Sequence, residues 1–478
     1  MRTPRAAGVG ALVALVSAMV VPLATIATTA PAAAATTLTV QVGGSNSDGS
    51  VDGQNFYPGV ATIHAGDSIQ WKFRGGHTVN FYTPPGDPEA PGVGNGTFTG
   101  VNDPESSGIK FPAPGSDTYT LAFPNAGNYQ YFCALHPGMA GLVQVVAADS
   151  ATPVTTQAQA DSTGASQLAA DLAAGQAAVD AFTPSSTTSN GKTTYNVANG
   201  IGDPEVDTVP VTPVATGGPS GTATLSAVNG KLHVELSMTG LAPGEHPAHI
   251  HNGQCGISSP PPGAPNDILF PLPNLVADAS GAAKVTGDFS FPQGAPPVIP
   301  ANIWYVNVHT STSDLTPVAC GNVDAHPASS LRFKPSSITI KTGDTVTWTM
   351  MDAREVHPLF FGAADKASPN PFAAASGGNT IASPSGAVAS GPQFPGSSFS
   401  LTFTGPGTYS YFCTLHADLG MRGTVVVQGA AITNPAPVPG TLARTGSSSR
   451  TPVFLAVALL LLGSLALVGE RRLRRVRA

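Results

Sequence analysis

Two sets of residues in this chain combine the donor types that a redox-active metal needs. Cys133, His136 and Met139 are spaced Cys-x-x-His-x-x-Met, with His77 upstream. Cys413, His416 and Met421 repeat the order with a longer last interval, and His357 lies upstream of them. Two imidazole nitrogens and a thiolate in a trigonal plane, with a weak axial thioether, make a type 1 copper site. The soft sulfur suits Cu(I) and the imidazoles suit Cu(II), so a geometry that serves both lets one electron move with little rearrangement. A disulfide between Cys133 and Cys413 is the other reading, since exported cysteines usually pair. It would require two domains to meet at equivalent loops, because each cysteine stands at the same place in its own repeat, next to a His and a Met.

The surroundings of the two sets also repeat. Ala61 to Trp71 parallels Ser337 to Trp348, and Gly127 to His136 parallels Gly407 to His416. Self-similarity of this kind organises a chain before any local signal does. Within each repeat, apolar and polar residues alternate in short runs broken by Gly, Pro, Asn and Asp, the period of half-buried strands. Each Cys then ends a strand, its His and Met follow on the loop, and the upstream His sits at another strand end. Tyr129, Tyr131 and Phe132, with Tyr409, Tyr411 and Phe412, read as sheet residues, and His64 reads as a solvated side chain in a strand-edge turn.

These residues resemble the cupredoxin family of blue-copper proteins. The first ligand loop is similar to that of amicyanin, and Cys413-x-x-His416 followed by Met421 is similar to the longer loop of plastocyanin and pseudoazurin. The resemblance implies an all-β chain with a Greek-key β-sandwich at 36–147 and another at 326–430. It implies one type 1 copper in each, held by His77, Cys133, His136 and Met139 and by His357, Cys413, His416 and Met421.

Between the repeats, 148–218 is rich in Ala, Ser, Thr and Pro and reads as a linker with one short helix over Ala165 to Phe182. A third strand-rich unit follows at 219–325. Its segment Gly244 to Cys255, with His249 and His251, and the later His309 and Ala319-Cys320-Gly321 resemble the CHRD domain and, more distantly, Cu/Zn superoxide dismutase. Carried over, His249, His251 and His309 would be ligands of a third copper, and Cys255 would be bonded to Cys320. His246 and His233 are lesser candidates. No histidine lies between His251 and His309, where the dismutase has its bridging and zinc ligands, so the resemblance does not extend to zinc or to dismutase activity.

The ends of the chain speak of export. Arg2 and Arg5, an apolar run and the small residues Ala32 to Ala35 read as a signal peptide over 1–35. Residues 431–451 read as a wall spacer. It contains Leu442-Ala443-Arg444-Thr445-Gly446, similar to the LAxTG sorting signals of Gram-positive, especially actinobacterial, wall proteins. The resemblance implies sortase cleavage between Thr445 and Gly446. An apolar segment and basic tail at 452–478 complete the signal, and a plain membrane anchor is the alternative. The chain carries 21 Lys+Arg against 28 Asp+Glu. Because many of its arginines lie in the two ends, the body is more acidic still, which argues against nucleic acid as a partner.

Three function classes stay in play: a surface-anchored carrier of single electrons between redox partner proteins, a copper storage or delivery protein, and a copper oxidoreductase. A multicopper oxidase would need paired His-x-His motifs and a His-Cys-His segment. Here Cys133 lies between Phe132 and Ala134, and Cys413 between Phe412 and Thr414. A nitrite reductase needs an all-histidine copper, which only His249, His251 and His309 could imitate.

Overall fold

A computed structural model describes residues 34–429 except 82–93, 95, 101, 259–267, 293–294, 363–369 and 371. The signal peptide and the sorting segment with Thr445 and Gly446 therefore lie, all but residues 34 and 35, outside the described residues. Among those described, no helix is long and apolar enough to cross a membrane.

Strands dominate, as the alternating pattern predicts. In the first sandwich, strand Thr37–Ser45 pairs in parallel with Ser68–Phe73 and antiparallel with Val51–Tyr57. Facing them, Gly127–Phe132 pairs with Ala140–Val146, which also runs parallel to Val60–His64. The second sandwich repeats this plan: Lys192–Gly202 pairs in parallel with Thr345–Met351 and antiparallel with Ala328–Lys334, and Gly407–Cys413 pairs with Arg422–Gln428. The cores match residue for residue. Trp71 packs on Tyr131 at 5.2 Å between ring centroids, and Trp348 packs on Tyr411 at 5.1 Å. Phe56 and Phe333 close on the same tyrosines from the first sheets, at 4.6 and 4.7 Å. Fully burying one such aromatic ring is worth about 1.5–3 kcal/mol.

Two features differ from the expected layout. The stretch 148–218 is not a linker. Its helix runs over Gln157–Ala181, starting at a capping box in which Thr156 and Gln159 satisfy each other's backbone donors. Beyond it, Lys192–Gly202 is the first strand of the second sandwich, and Val206–Pro213 belongs to the middle domain. The second sandwich is thus discontinuous in sequence, with the middle domain inserted between its first two strands. The Asn190-Gly191 turn pairs the start of Lys192–Gly202 with Ser186–Ser189, but the strands that bury it lie more than a hundred residues away, so the local signal is a short hairpin and not a sandwich strand.

The two sandwiches share one sheet. Val51–Tyr57 pairs antiparallel with Ala328–Lys334, Asp52 opposite Ser329, so a ten-stranded sheet runs through both with matching strands either side of the seam. The helix lies over this seam. A Cβ at Gly164 would press on the Tyr57 backbone and one at Gly175 on Val51 and Ala328, so small residues let the helix approach. Its buried Asp171 accepts hydrogen bonds from Asn55 and from the Tyr57 hydroxyl and contacts His326 Nδ1.

The middle domain folds its own sheet, Val206–Pro213 to Asp314–Asn322, around Leu225, Val234, Leu236, Ile250, Val306 and Val308. Cys255 and Cys320 are joined in a disulfide, as the resemblance implies.

Candidate metal centres

Each ligand loop is fixed by the end of its strand. In the first, the Cys133 N–H donates to the Met139 carbonyl at 3.0 Å and the Met139 N–H to the His136 carbonyl at 3.1 Å. In the second, Cys413 donates to Met421 at 3.0 Å and Met421 to His416 at 3.1 Å. The longer second loop makes a 3-10 turn, Ala417–Leu419, ended by Gly420 in the left-handed region. Loops of different length thereby bring the same three residue types, Cys, His and Met, to the same place.

The donor atoms converge. His77 Nδ1 and His136 Nδ1 stand 2.9 Å apart, with Cys133 Sγ 4.0 and 3.4 Å from them. In the other sandwich, His357 Nδ1 and His416 Nδ1 are 3.1 Å apart, with Cys413 Sγ 3.8 and 3.5 Å away. Met139 and Met421 are fully buried in the same cores as their cysteines. Cys133 and Cys413 are buried free thiols, so the alternative of a bond between them does not hold.

In each sandwich two imidazole nitrogens and one sulfur lie within 4.0 Å of one another, which offers a cation three donors at one point. The outer nitrogens support this. His77 Nε2 and His357 Nε2 are buried without a hydrogen-bond partner, so a proton kept on Nε2 leaves each Nδ1 lone pair free for a soft metal. The residues present fit copper: two imidazoles, one thiolate and a thioether in each sandwich, enclosed by apolar side chains.

Glycines missed at the sequence level make room for these rings. Gly43 and Gly200 both have positive φ at bulges in the first strand of their sandwiches, and a Cβ at either would overlap the imidazole of His77 or His357. Neither position is visible without the pairing, because the bulge that turns each glycine under its imidazole is defined by strand register.

The two centres differ in charge. Burial alone would raise the Cys133 thiol, but the His136 and His77 imidazoles outweigh it and hold it well below its ordinary value. Burial pushes Cys413 up to about 12. The Thr78 N–H donates to Cys133 Sγ at 3.3 Å. The corresponding residue after His357 is Pro358, which has no N–H to give.

Glu355, also missed, lies between the centres. Its Oε1 is 3.2 Å from His136 Nε2 and its Oε2 3.9 Å from His416 Nε2. Burial opposes its charge, yet His136, His416 and His357 together hold its carboxyl well below the carboxylate range. The neighbouring Arg354 is buried and binds Glu205, Asp203 and the carbonyls of Pro137 and Ile299. A carboxylate two residues before a ligand histidine, in a chain with so few charges, was the available signal.

In the middle domain His249, His251 and His309 come together, with His249 Nδ1 3.1 Å from His309 Nε2. His309 Nδ1 contacts the Leu315 carbonyl at 2.7 Å, which leaves the lone pair on Nε2, the nitrogen that faces His249. Both ring nitrogens of His246 contact backbone carbonyls, and His233 sits with Asp288 and Glu235 on an exposed strand, so neither joins the cluster.

Residues 320–428 match the family described as copper binding proteins, plastocyanin/azurin family, and residues 197–314 match the CHRD domain. A plastocyanin of Scenedesmus fuscus is 38% identical over 104 residues, covering 20% of this chain and 88% of its own. A plastocyanin of Prochlorothrix hollandica is 33% identical over 96 residues, 20% of this chain and 63% of its own. Among solved structures, an amicyanin mutant in its reduced state is 31% identical, covering 20% of this chain and 74% of that one, with a TM-score of 0.15. The chain belongs to the plastocyanin/azurin family of copper binding proteins.

Proposed function

We propose that the chain carries single electrons through two type 1 copper sites. The first sandwich is read as a second cupredoxin copy. The observation that supports this most is the duplicated, buried set of one Cys and two His whose donor atoms converge, closed in both sandwiches by the same Cys-to-Met backbone bond. His77, Cys133, His136 and Met139 would hold one ion, and His357, Cys413, His416 and Met421 the other. Copper bound there supplies a one-electron couple between Cu(I) and Cu(II). The protein's part is to keep the donors in place, to exclude water, and to hold the ring protons on the outer nitrogens. Donors held by backbone-bonded loops and buried in the two cores favour a carrier over a delivery protein, which must let its metal go.

The test is redox cycling of the copper-loaded chain. Bleaching by a one-electron reductant and recolouring by a one-electron oxidant, with the metal retained, is the expected result. Loss of copper at each cycle would favour storage or delivery instead.

The third cluster, His249, His251 and His309, is read as a histidine-only copper site that adds capacity or a second chemistry. The protein is placed outside the cell, held by sortase cleavage at Thr445-Gly446, with partner redox proteins reaching it there. Thr445→Ala should then leave it extractable by detergent and resistant to release by peptidoglycan hydrolases. Wild-type protein that detergent extracts with its tail attached would replace the wall with a plain membrane anchor.

A further inference from the structure

We infer that Glu355 bridges the two metal centres and makes them one redox unit, an inference that rests on the copper reading above. Its carboxylate faces the outer nitrogen of one histidine from each set, His136 from the first sandwich and His416 from the second. Both histidines point their inner nitrogens at their own cysteine. A connection from Cys133 to Cys413 therefore runs through two imidazoles and one carboxylate, 3.2 Å from His136 and 3.9 Å from His416.

Three further observations fix this connection in place. Gln54, from the first sandwich, donates to Glu355 Oε1 at 2.6 Å, which sets the carboxylate against the far domain. Arg354 donates to the Pro137 carbonyl at 2.7 Å, in the middle of the first ligand loop, and a Cβ on the adjacent Gly138 would overlap its guanidinium. The shared sheet aligns the two sandwiches through Asp52 and Ser329. Neither centre can move relative to the other without breaking buried polar contacts.

Accessibility gives the unit a direction of use. The His136 side chain is 9% exposed and is covered by Glu355, while the middle domain closes on its loop through Ala301, whose N–H donates to the Gly138 carbonyl. The His416 side chain is 14% exposed, between Leu415 and Leu419, both open to solvent. With copper in both sets, an electron from an external one-electron donor would enter beside His416, reduce the Cys413 centre, and pass by way of His416, Glu355 and His136 to an oxidised Cys133 centre. The Cys413 centre would thereby be reoxidised, so one electron would be transferred and nothing else consumed.

The experiment uses the copper-loaded full chain with Glu355→Gln and Glu355→Asp. Cys133→Ser and Cys413→Ser assign the two sets of spectral signals. Pulse reduction by a one-electron radical, followed by optical detection, reads the exchange between centres, and a redox titration reads each midpoint potential. Gln keeps the shape and removes the charge, so both midpoint potentials should rise, because a buried negative charge near both sites favours the oxidised ions. Asp keeps the charge but is one methylene shorter, so the exchange should slow severalfold while both potentials stay near those of the parent. The bridge is overturned if Glu355→Gln moves only the Cys413 centre, or if exchange in Glu355→Asp keeps the parent rate. A parent chain that gains no thiolate-to-copper band would overturn the copper reading itself, an outcome distinct from either.

Discussion

Thr78 donates its backbone N–H to the sulfur of Cys133 at 3.3 Å, and at the matching place in the other sandwich Pro358 has no proton to offer Cys413. A hydrogen bond to the thiolate withdraws charge from it and weakens its donation to Cu(II), and such contacts tune the potential of these sites. The Cys133 centre should therefore have the higher midpoint potential, the order needed for electrons to run inward from His416. Pro358→Ala restores an N–H beside Cys413 and should raise the potential of that centre alone. A redox titration of the variant that leaves the Cys413 midpoint unchanged would remove this explanation.

Gly43→Ala and Gly200→Ala each put a methyl group where an imidazole lies, on a backbone of positive φ. The backbone alone costs an L residue about 1–3 kcal/mol. Each variant should lose copper from its own sandwich, keep it in the other, and melt earlier. Metal analysis with electron paramagnetic resonance separates this from general unfolding, in which both signals would vanish together.

Much of this site was legible before any coordinates. Cys, His and Met at fixed intervals name a metal by their chemistry, and the repeated strand pattern says which ends of which strands carry them. Glu355, Gly43, Gly200 and the first strand of the second sandwich were not legible, and the reasons are physical. A bridging carboxylate is defined by two histidines from different sandwiches. A glycine under a ring is defined by strand register. Lys192–Gly202 has a local hairpin partner in Ser186–Ser189, but the strands that bury it in the sandwich follow an inserted domain. The helix was read too short because it packs through Gly164 and Gly175, and not through an apolar stripe.

Burial, reinforced by nearby Glu355, pushes Asp352 up to about 7. An acid whose folded value lies above its unfolded one contributes stability that is complete below pH 4 and lost as pH rises through 7. Asp352→Asn should thus stabilise the chain at pH 8, on the order of a few kcal/mol at most, and the gain should vanish near pH 4. Denaturant titrations of parent and variant across that range decide it.

Reducing the bond between Cys255 and Cys320, or replacing both by serine, removes a link that closes a loop of 65 residues in the middle domain. The expected cost is about 2–4 kcal/mol, read by calorimetry. Because neither cysteine belongs to a metal set, the colour of the copper-loaded chain should persist. Loss of colour without unfolding would mean that one of these cysteines takes part in metal binding.

The most direct test of the account is the copper content and spectrum of the chain loaded with Cu(II) when His249, His251 and His309 are replaced by alanine. Two ions per chain, an intense thiolate-to-copper band, and a loss of about half of that band in either Cys133→Ser or Cys413→Ser are predicted from the two Cys–His–His–Met sets. A chain that binds copper yet stays colourless, or whose whole band depends on one cysteine, would contradict it.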